Sequence, residues 1–155
     1  GLDNMKQSAG YVIIDNDTKC VLCVRAYANW GFPKGRLEDG ETHQSAAIRE
    51  TQEEVMLAHA IDFVDIGLSS VAVTYGKGKG QKTATYFFAD RVGKVTPHLP
   101  VNPEIGKPEH DEYRWVKFDD LEDLMQIVTN HNACPYFTAP VLAGQAQIIL
   151  CPYVA

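Results

Sequence analysis

The chain of 155 residues has the length of one ordinary domain, and its 45% hydrophobic and 22% charged residues are typical of a globular protein. Its 20 acidic residues outnumber its 14 basic ones, and the net charge of −6 disfavours a general nucleic-acid-binding surface, which is usually basic. No run of about 18 apolar residues occurs, so neither a transmembrane helix nor a membrane partner is expected. We expect one cytoplasmic domain over residues 5–155, and we interpret residues 1–4 as a remnant of recombinant expression.

Two strands and a loop are predicted for the first forty residues. Residues 8–14 and 20–26 are apolar and rich in β-branched residues, and the turn sequence D-N-D between them predicts a hairpin. Residues 27–40 contain three glycines and one proline and predict a loop. Cys20 and Cys23 have the spacing of half a zinc site, but no matching second half follows, so we interpret them as small apolar residues of a buried strand.

A helix and a second hairpin are predicted next. Residues 42–57 combine apolar residues at helical spacing with strong helix formers, and Thr42 is a suitable N-cap, although no glutamate follows three residues later to complete a capping box. Residues 61–73 are mostly apolar and predict a strand. Residues 75–82 predict a glycine-rich hairpin turn, and residues 83–91 predict the strand that pairs across it.

The last third of the chain predicts a loop, a strand and two helices. Residues 92–108 contain four prolines and predict a long loop, which in a compact domain is more often functional than structural. Residues 113–118 predict a strand, residues 119–129 an amphipathic helix capped by an aspartate at its start, and residues 136–150 a final helix. This order predicts a mixed sheet with helices on both faces.

Three glutamates, Glu50, Glu53 and Glu54, crowd together near the end of the first predicted helix. A helix turns about 100° per residue, so Glu53 and Glu54 lie about 60° and 40° to either side of Glu50. In water, like charges at this spacing cost a few tenths of a kcal/mol per pair. The cluster is either a solvated acidic face or a metal-binding edge, since carboxylate oxygens are the ligands that Mg²⁺ and Mn²⁺ prefer.

The spacing of the surrounding residues decides between these interpretations. The pattern is a glycine, five residues, a glutamate, seven residues, an Arg-Glu pair, two residues and a Glu-Glu pair. Its six fixed positions are Gly35, Glu41, Arg49, Glu50, Glu53 and Glu54. All six match the Nudix box without a gap, so the chain resembles the Nudix hydrolase family. The resemblance implies an α/β fold, an α/β/α sandwich around a mixed sheet, and hydrolysis of a nucleoside diphosphate linked to another group.

Two positions depart from the family pattern. Thr51 stands where the box has an apolar residue, and its hydroxyl can bond back to the helix. Met56 stands where the box has its closing glycine. Methionine lacks the freedom of glycine to adopt a positive φ, so the helix is expected to run on or to end differently.

The resemblance also implies roles for the matched residues. Glu50, Glu53 and Glu54 would hold the catalytic Mg²⁺ or Mn²⁺, and a backbone carbonyl near Lys34 would complete the metal shell. Arg49 would orient the glutamates through a salt bridge, and Glu41 would support the segment that leads into the helix.

A carboxylate is expected to take the proton of the attacking water. The base is either a helix glutamate, such as Glu53, or an acid from the end of the proline-rich loop. Glu109 and Glu112 are the candidates there, and we favour Glu109 over its alternative role as an exposed loop acid.

The substrate is suggested by residues 30–35, which read W-G-F-P-K-G. This segment is similar to one in asymmetrical diadenosine tetraphosphate hydrolases and in the RNA decapping and RNA pyrophosphohydrolase branches of the family. The resemblance implies that Lys34 touches a phosphate. We expect a dinucleoside polyphosphate or another nucleotide as substrate, and first of all diadenosine tetraphosphate cleaved asymmetrically to ATP and AMP. The alternatives are an RNA 5′ end or cap, a diphosphoinositol polyphosphate, and an inactive nucleotide sensor.

Aromatic side chains would hold the base of such a substrate by stacking. The candidates are Tyr75, Tyr86, Tyr136 and Phe137, although such residues more often pack in a core than clamp a base. We expect substrate contacts at Tyr86, which follows the lysine-rich hairpin, and at Phe137. Lys82 of that hairpin would meet the distal phosphates or remain a solvated turn residue.

Overall fold

A computed structural model describes residues 6–75, 78–124, 137–141 and 146–150 of the chain. Twelve strands and two α-helices occur in this described part. In chain order they are β1 Gln7–Asp15, β2 Cys20–Ala26, β3 Asn29–Gly31, β4 Lys34–Arg36, α1 His43–Val55, β5 Phe63–Asp65, β6 Val71–Tyr75, β7 Lys82–Arg91, β8 Val101–Asn102, β9 Lys107–Pro108, β10 Glu112–Lys117, α2 Phe118–Leu124, β11 Phe137–Val141 and β12 Ala146–Leu150. None of the described helices is long and apolar enough to cross a membrane.

An eight-stranded sheet forms the centre of the domain, with the strand order β10-β2-β1-β7-β5 and with β3, β4 and β6 joined to β2, β1 and β7. β1 runs parallel to β7, from the pair Gln7–Thr83 to the pair Ile14–Asp90. The other pairings in this sheet are antiparallel. The predicted mixed sheet is therefore confirmed.

Helices cover both faces of β1, whose alternate residues point to opposite sides of the sheet. Tyr11 and Ile13 are fully buried on the face that α1 covers, and Val12 and Ile14 are fully buried on the other face. Leu121 of α2 packs into that second core. This arrangement is the predicted α/β/α sandwich, and it explains why the sequence of β1 is apolar on both faces.

β1 and β2 separate after a short contact at Ile14–Val21 and Asp15–Cys20, and a segment predicted to be a loop enters the gap. β3 pairs with β2, and β4 pairs with β1. The Tyr11 N–H donates to the Pro33 carbonyl at 3.2 Å. A Cβ at Gly10 would collide with Pro33 and Lys34, so only glycine lets the two backbones approach this closely.

The ends of α1 follow from three side chains. Thr42 caps the helix as predicted, and Ser45 completes a capping box: the Thr42 N–H donates to Ser45 Oγ and the Ser45 N–H donates to Thr42 Oγ1, both at 3.0 Å. The capping box that lacks a glutamate is therefore completed by a serine. At the other end the helix stops at Val55, and Met56 adopts the left-handed conformation with φ 57°. The methionine thus takes the backbone conformation that the family's glycine would take.

Other predictions are confirmed or corrected by backbone pairing. Cys20 and Cys23 are buried in β2 as free thiols, as predicted. The predicted strand at 61–73 is two strands, β5 and β6, and the predicted loop at 92–108 contains the small β8–β9 hairpin. The second helix begins at Phe118, so its aspartates lie in the first turn and not at the cap.

The predicted final helix is wrong, because residues 137–141 and 146–150 form the antiparallel strands β11 and β12. Pro140 would disrupt a helix interior, and β-branched residues such as Ile148 and Ile149 favour strands. The preference of these residues for strands is stronger than the helical spacing of apolar residues on which the helix prediction relied.

We expect Met56→Gly to stabilise the protein. A left-handed conformation costs a residue with a Cβ about 1–2 kcal/mol, and part of that cost disappears with glycine. Met56 is 45% exposed, so the substitution removes less buried apolar surface than it would for a core methionine. Urea denaturation should show an increase of about 1 kcal/mol in the free energy of unfolding.

Met56→Ala is the matched control, because it removes the same side chain but keeps the Cβ. It should change the free energy of unfolding by less than about 0.5 kcal/mol. An alanine variant as stable as the glycine variant would show that backbone strain at this position is not the cause.

Candidate active site

The guanidinium of Arg49 connects the elements that form the site. It donates to both oxygens of Glu41, at 2.8 and 2.9 Å, and to the Arg36 carbonyl of β4 at 2.9 Å. It also donates to Glu50 at 2.9 Å and to Glu53 at 3.1 Å. The hydrogen bond to Glu41 is the largest of the effects that raise the pKa of Arg49. These contacts place the guanidinium against Glu50 and Glu53, and the orienting role of Arg49 stays a prediction.

Glu41 is held from two directions before the helix begins. Besides the two bonds from Arg49, it accepts the Glu38 N–H at 2.7 Å. The hydrogen bond from Arg49 holds the pKa of Glu41 below its ordinary value. Glu41 therefore fastens the loop ahead of α1 to the helix, as the resemblance implied.

Gly35 allows the carboxylate of Glu50 to lie against β4. A Cβ on Gly35 would overlap all three atoms of the Glu50 carboxyl group. The Glu50 side chain is 13% exposed and lies beside the backbone that carries Lys34. The fixed glycine of the sequence pattern thus has a steric cause, which is the close approach of a side chain from the helix.

Glu54 is the most deeply buried of the three helix glutamates. Its side chain is 1% exposed, and neither carboxyl oxygen has a hydrogen-bond partner. Burial raises the pKa of Glu54 well above the ordinary value, and the neighbouring Glu50 raises it further. A buried carboxylate without a partner is costly, and a bound cation removes that cost. The donor set and these two orphaned oxygens fit a divalent metal ion.

Glu50 and Glu53 are bound to Arg49 in this structure. In the described part of the chain, no three His, Cys, Asp or Glu side chains form a ready-made metal cage. Two of the three carboxylates that would hold the metal form ion pairs with the guanidinium. A cation would have to compete with Arg49 for their oxygens.

A cavity of about 500 Å³ separates α1 from the proline-rich loop. Six glutamates line it, and Arg49 is the one arginine or lysine among the described lining residues. The glutamates are Glu38, Glu50, Glu53, Glu54, Glu104 and Glu109. The loop contributes an apolar wall as well, which includes Leu99, Pro100 and Pro103. The cavity is therefore acidic on its helix side and partly apolar on its loop side.

The loop acids differ in their surroundings. Glu109 lines the cavity, and partial desolvation raises its pKa, followed by the charges of Glu50 and Glu53. Glu112 instead forms ion pairs with Arg25 at 3.5 Å and with Arg114 at 3.1 Å. This geometry supports the preference for Glu109 as the loop acid of the site.

The predicted substrate contacts fare differently. Lys34 lies in β4. Burial raises the pKa of Glu54 and of Glu109, and the positive charge of Lys34 offsets part of that rise. The expectation for Tyr86 is corrected: its ring is 2% exposed and packs edge-on against Phe32, so it is a core residue and offers no free face to a base. Tyr86 was chosen because it follows the lysine-rich hairpin, but its inward position on β7 makes it a core residue.

Of the remaining candidates, the structure describes the side chain of Lys82 but not those of the three aromatic residues. Lys82 begins β7 and is exposed, and it is not one of the residues that line the cavity. Phe137 lies in β11, and its side chain is outside the described part of the structure, as are Tyr136 and the side chain of Tyr75. Their predicted substrate contacts stay predictions.

Sequence reasoning missed His110. Its side chain is 13% exposed, and Nδ1 lies 3.3 Å from Glu54 Oε1 without forming a hydrogen bond. Burial, followed by the charge of Lys34, lowers the pKa of His110 to about 4. A neutral imidazole therefore faces the buried glutamate at pH 7. Its signals in the sequence were its position next to Glu109 and the pattern E-H-x-x-x-x-W over residues 109–115, which is similar to one in the tetraphosphate hydrolases.

Comparison with known proteins places this site in a family. A model of the NUDIX domain matches residues 5–135. The chain belongs to the Nudix family. This Nudix protein is a hydrolase that acts on phosphoanhydride bonds, and hydrolases of the family generally use divalent metal ions such as Mg²⁺.

Curated relatives fall into several activities. The Nudix chain is 30% identical over 116 residues to the asymmetrical bis(5′-nucleosyl)-tetraphosphatase of Rattus norvegicus. The aligned region covers 73% of this chain and 74% of that protein. It is 28% identical over 129 residues to the RNA pyrophosphohydrolase of Aeromonas hydrophila, which covers 75% of this chain and 72% of that protein. It is 43% identical over 124 residues to the m7GpppN-mRNA hydrolase dcap-2 of Caenorhabditis elegans, which covers 72% of this chain and 14% of that longer protein.

Solved structures agree on the fold. A binary complex of the Ap4A hydrolase of C. elegans superimposes with a TM-score of 0.66 and 23% identity, over 77% of this chain and 85% of that one. At this identity the likeness shows the Nudix fold alone. The predicted fold class is thereby confirmed.

We expect Glu41→Gln to lower the free energy of unfolding at pH 7 by about 1–3 kcal/mol, because a charge-assisted pair of hydrogen bonds becomes a weaker neutral contact. Because Arg49 holds the pKa of Glu41 below its ordinary 4.5, ionised Glu41 stabilises the protein above pH 4.5. This contribution is lost as the pH falls through the lowered pKa. Urea titrations between pH 3 and 7 should therefore show a shallower acid loss in the variant.

Glu38→Gln is the control, because Glu38 lies 3.8 Å from Arg49 and its side chain is 68% exposed. It should leave the pH dependence of stability close to that of the parent protein. Equal effects of both substitutions would contradict a special role for the Glu41–Arg49 pair.

Proposed function

We propose that this Nudix hydrolase cleaves a dinucleoside polyphosphate, with diadenosine tetraphosphate cut asymmetrically to ATP and AMP. The observation that carries the proposal is the acidic cavity, in which six glutamates and one arginine face each other. RNA binding relies on a track of basic side chains along the phosphate backbone. A short polyphosphate that arrives with divalent cations suits an acidic cavity better.

The metal would be held by Glu50, Glu53 and Glu54, with a backbone carbonyl near Lys34. When bound, Mg²⁺ or Mn²⁺ neutralises phosphate oxygens and lowers the pKa of a bound water. Arg49 sets the positions of the glutamates through its bonds to Glu50 and Glu53. Lys34 is proposed to contact a phosphate, which its electrostatic influence on the cavity acids supports.

Glu109 is proposed as the general base. Its raised pKa makes it a better proton acceptor than an ordinary surface carboxylate. As the water oxygen bonds to phosphorus, its proton passes to the Glu109 carboxylate and the P–O bond to the leaving nucleotide breaks. The nucleobase of the substrate would contact the apolar surface of Leu99 and the loop prolines. This surface replaces the aromatic clamp that was expected from Tyr86.

A second candidate is an enzyme that removes phosphates or a cap from the 5′ end of RNA. It is favoured by the likeness to the dcap-2 hydrolase and to RNA pyrophosphohydrolases. A cluster outside the cavity also favours it: Arg114 lies over the ring of Trp30 at 4.7 Å, and Arg25 lies 5.9 Å from the same ring. Arginines and an indole are side chains on which an RNA strand can stack.

A panel of substrates with Mg²⁺, followed by chromatography, separates these candidates. It contains diadenosine tetraphosphate, triphosphorylated RNA, capped RNA, a diphosphoinositol phosphate and ADP-ribose. We expect fast release of ATP and AMP in equal amounts from the first. Glu53→Gln, the control for metal-dependent chemistry, should lower the rate at least about 10²-fold. Selective cleavage of the RNA ends would replace the first candidate with the second.

We expect Glu109→Gln to lower kcat about 10²–10⁴-fold with a smaller effect on KM, because an amide cannot take the proton of the water. Glu112→Gln is the matched control, since Glu112 is a neighbouring loop acid bound to arginines outside the cavity. It should keep kcat within about threefold of the parent. A comparable loss in both variants, or none in Glu109→Gln, would assign the proton transfer to another group.

A further inference from the structure

Buried polar atoms without a hydrogen-bond partner gather at one place in the structure. Four such side-chain atoms occur in the described part of the chain, and three of them are Glu54 Oε1, Glu54 Oε2 and His110 Nδ1. The fourth, Arg91 Nε, belongs to a different residue cluster around Asp15. Buried polar groups in proteins are almost always satisfied, so three orphans side by side indicate a shared partner.

The spacing of these atoms is that of two ligands on one ion. His110 Nδ1 and Glu54 Oε1 are 3.3 Å apart, in an orientation that makes no hydrogen bond. Two ligands that each lie about 2.1 Å from a metal, at an angle between octahedral and tetrahedral, are about 3.0–3.4 Å apart. The measured separation falls within that interval.

The contacts of the next residue, Asp111, fix the position of His110. Asp111 donates its N–H to the Arg25 carbonyl at 2.9 Å, and its carboxylate accepts from Arg25 Nε at 2.8 Å. The end of the proline-rich loop is thereby fastened to β2. His110 lines the cavity beside Glu54 of α1.

We propose that His110 Nδ1 is a ligand of a divalent cation that Glu54 also binds, so that the metal site of this chain contains an imidazole nitrogen besides its glutamates. The inference rests on the proposed metal-dependent function and adds a ligand to it. Glu50 and the phosphate oxygens of the substrate would fill further positions. The chemical consequence is a preference for Mn²⁺ over Mg²⁺, because imidazole suits the softer transition metals and Mg²⁺ prefers oxygen.

The test uses Mn²⁺ alone with the whole chain. Pulsed electron paramagnetic resonance detects the coupling of the Mn²⁺ electron spin to a directly bound ¹⁴N nucleus. Binding constants for Mn²⁺ and Mg²⁺ come from calorimetry. In the parent protein we expect ¹⁴N coupling and tighter binding of Mn²⁺ than of Mg²⁺.

His110→Asn places an amide oxygen near the position of Nδ1. It should abolish the ¹⁴N coupling and weaken Mn²⁺ binding at least about tenfold, with much less change for Mg²⁺. His98→Gln is the matched control, because His98 is exposed and does not line the cavity. It should leave the coupling and both constants unchanged.

Incorporation of ¹⁵N-histidine into the parent protein keeps the test valid if the variant does not fold, since the coupling should then change to that of ¹⁵N. Bound Mn²⁺ without nitrogen coupling, or coupling that persists in His110→Asn, would overturn the proposal. A positive result together with no hydrolysis in the substrate panel would remove the proposed function alone. Hydrolysis of the panel without nitrogen coupling would remove only the histidine ligand.

Discussion

The arrangement of the active site depends on one guanidinium. Arg49 bonds in the same plane to the loop before α1, to the backbone of β4 and to two glutamates of its own helix. A lysine has neither the fork geometry nor the number of donors to make these contacts together. Glu41, Glu50 and Glu53, which would otherwise repel, are held beside one another by hydrogen bonds to this one positive charge. The site is thus assembled by protein contacts before any ligand is considered.

Two glycines transmit this arrangement to the sheet. The absence of a Cβ at Gly10 leaves room for Pro33 and Lys34 on one side of the segment that contains β4. The absence of a Cβ at Gly35 leaves room for Glu50 on the other side. The segment fits between β1 and α1 only because both positions lack a Cβ. The separation of β1 from β2 is what makes room for it. The opening of the sheet therefore determines where the glutamates of α1 can lie.

Local patterns in the sequence were sufficient for β1, β2, α1 and the acidic edge, because these depend on side-chain periodicity and on fixed spacings within one stretch. They were insufficient for β3 and β4, whose partners are created by the opening of the sheet. Tyr86 was misassigned because the face of β7 on which a residue lies is set by pairing with β1. His110 was missed because its neighbour, Glu54, is distant in the chain. In each case the deciding contact is long-range.

The parallel pairing of β1 with β7 has a consequence for how the chain folds. Gln7 pairs with Thr83, so the central pairing of the sheet closes a loop of 76 residues. The β1–β2 and β6–β7 hairpins join near neighbours and can form early, at low entropic cost. Pairing β1 with β7 then requires the segment between the two hairpins to become ordered, and this segment includes α1 and its glutamates. Pairing between strands so distant in sequence slows folding. Before β7 pairs with it, β1 exposes an unpaired, apolar edge.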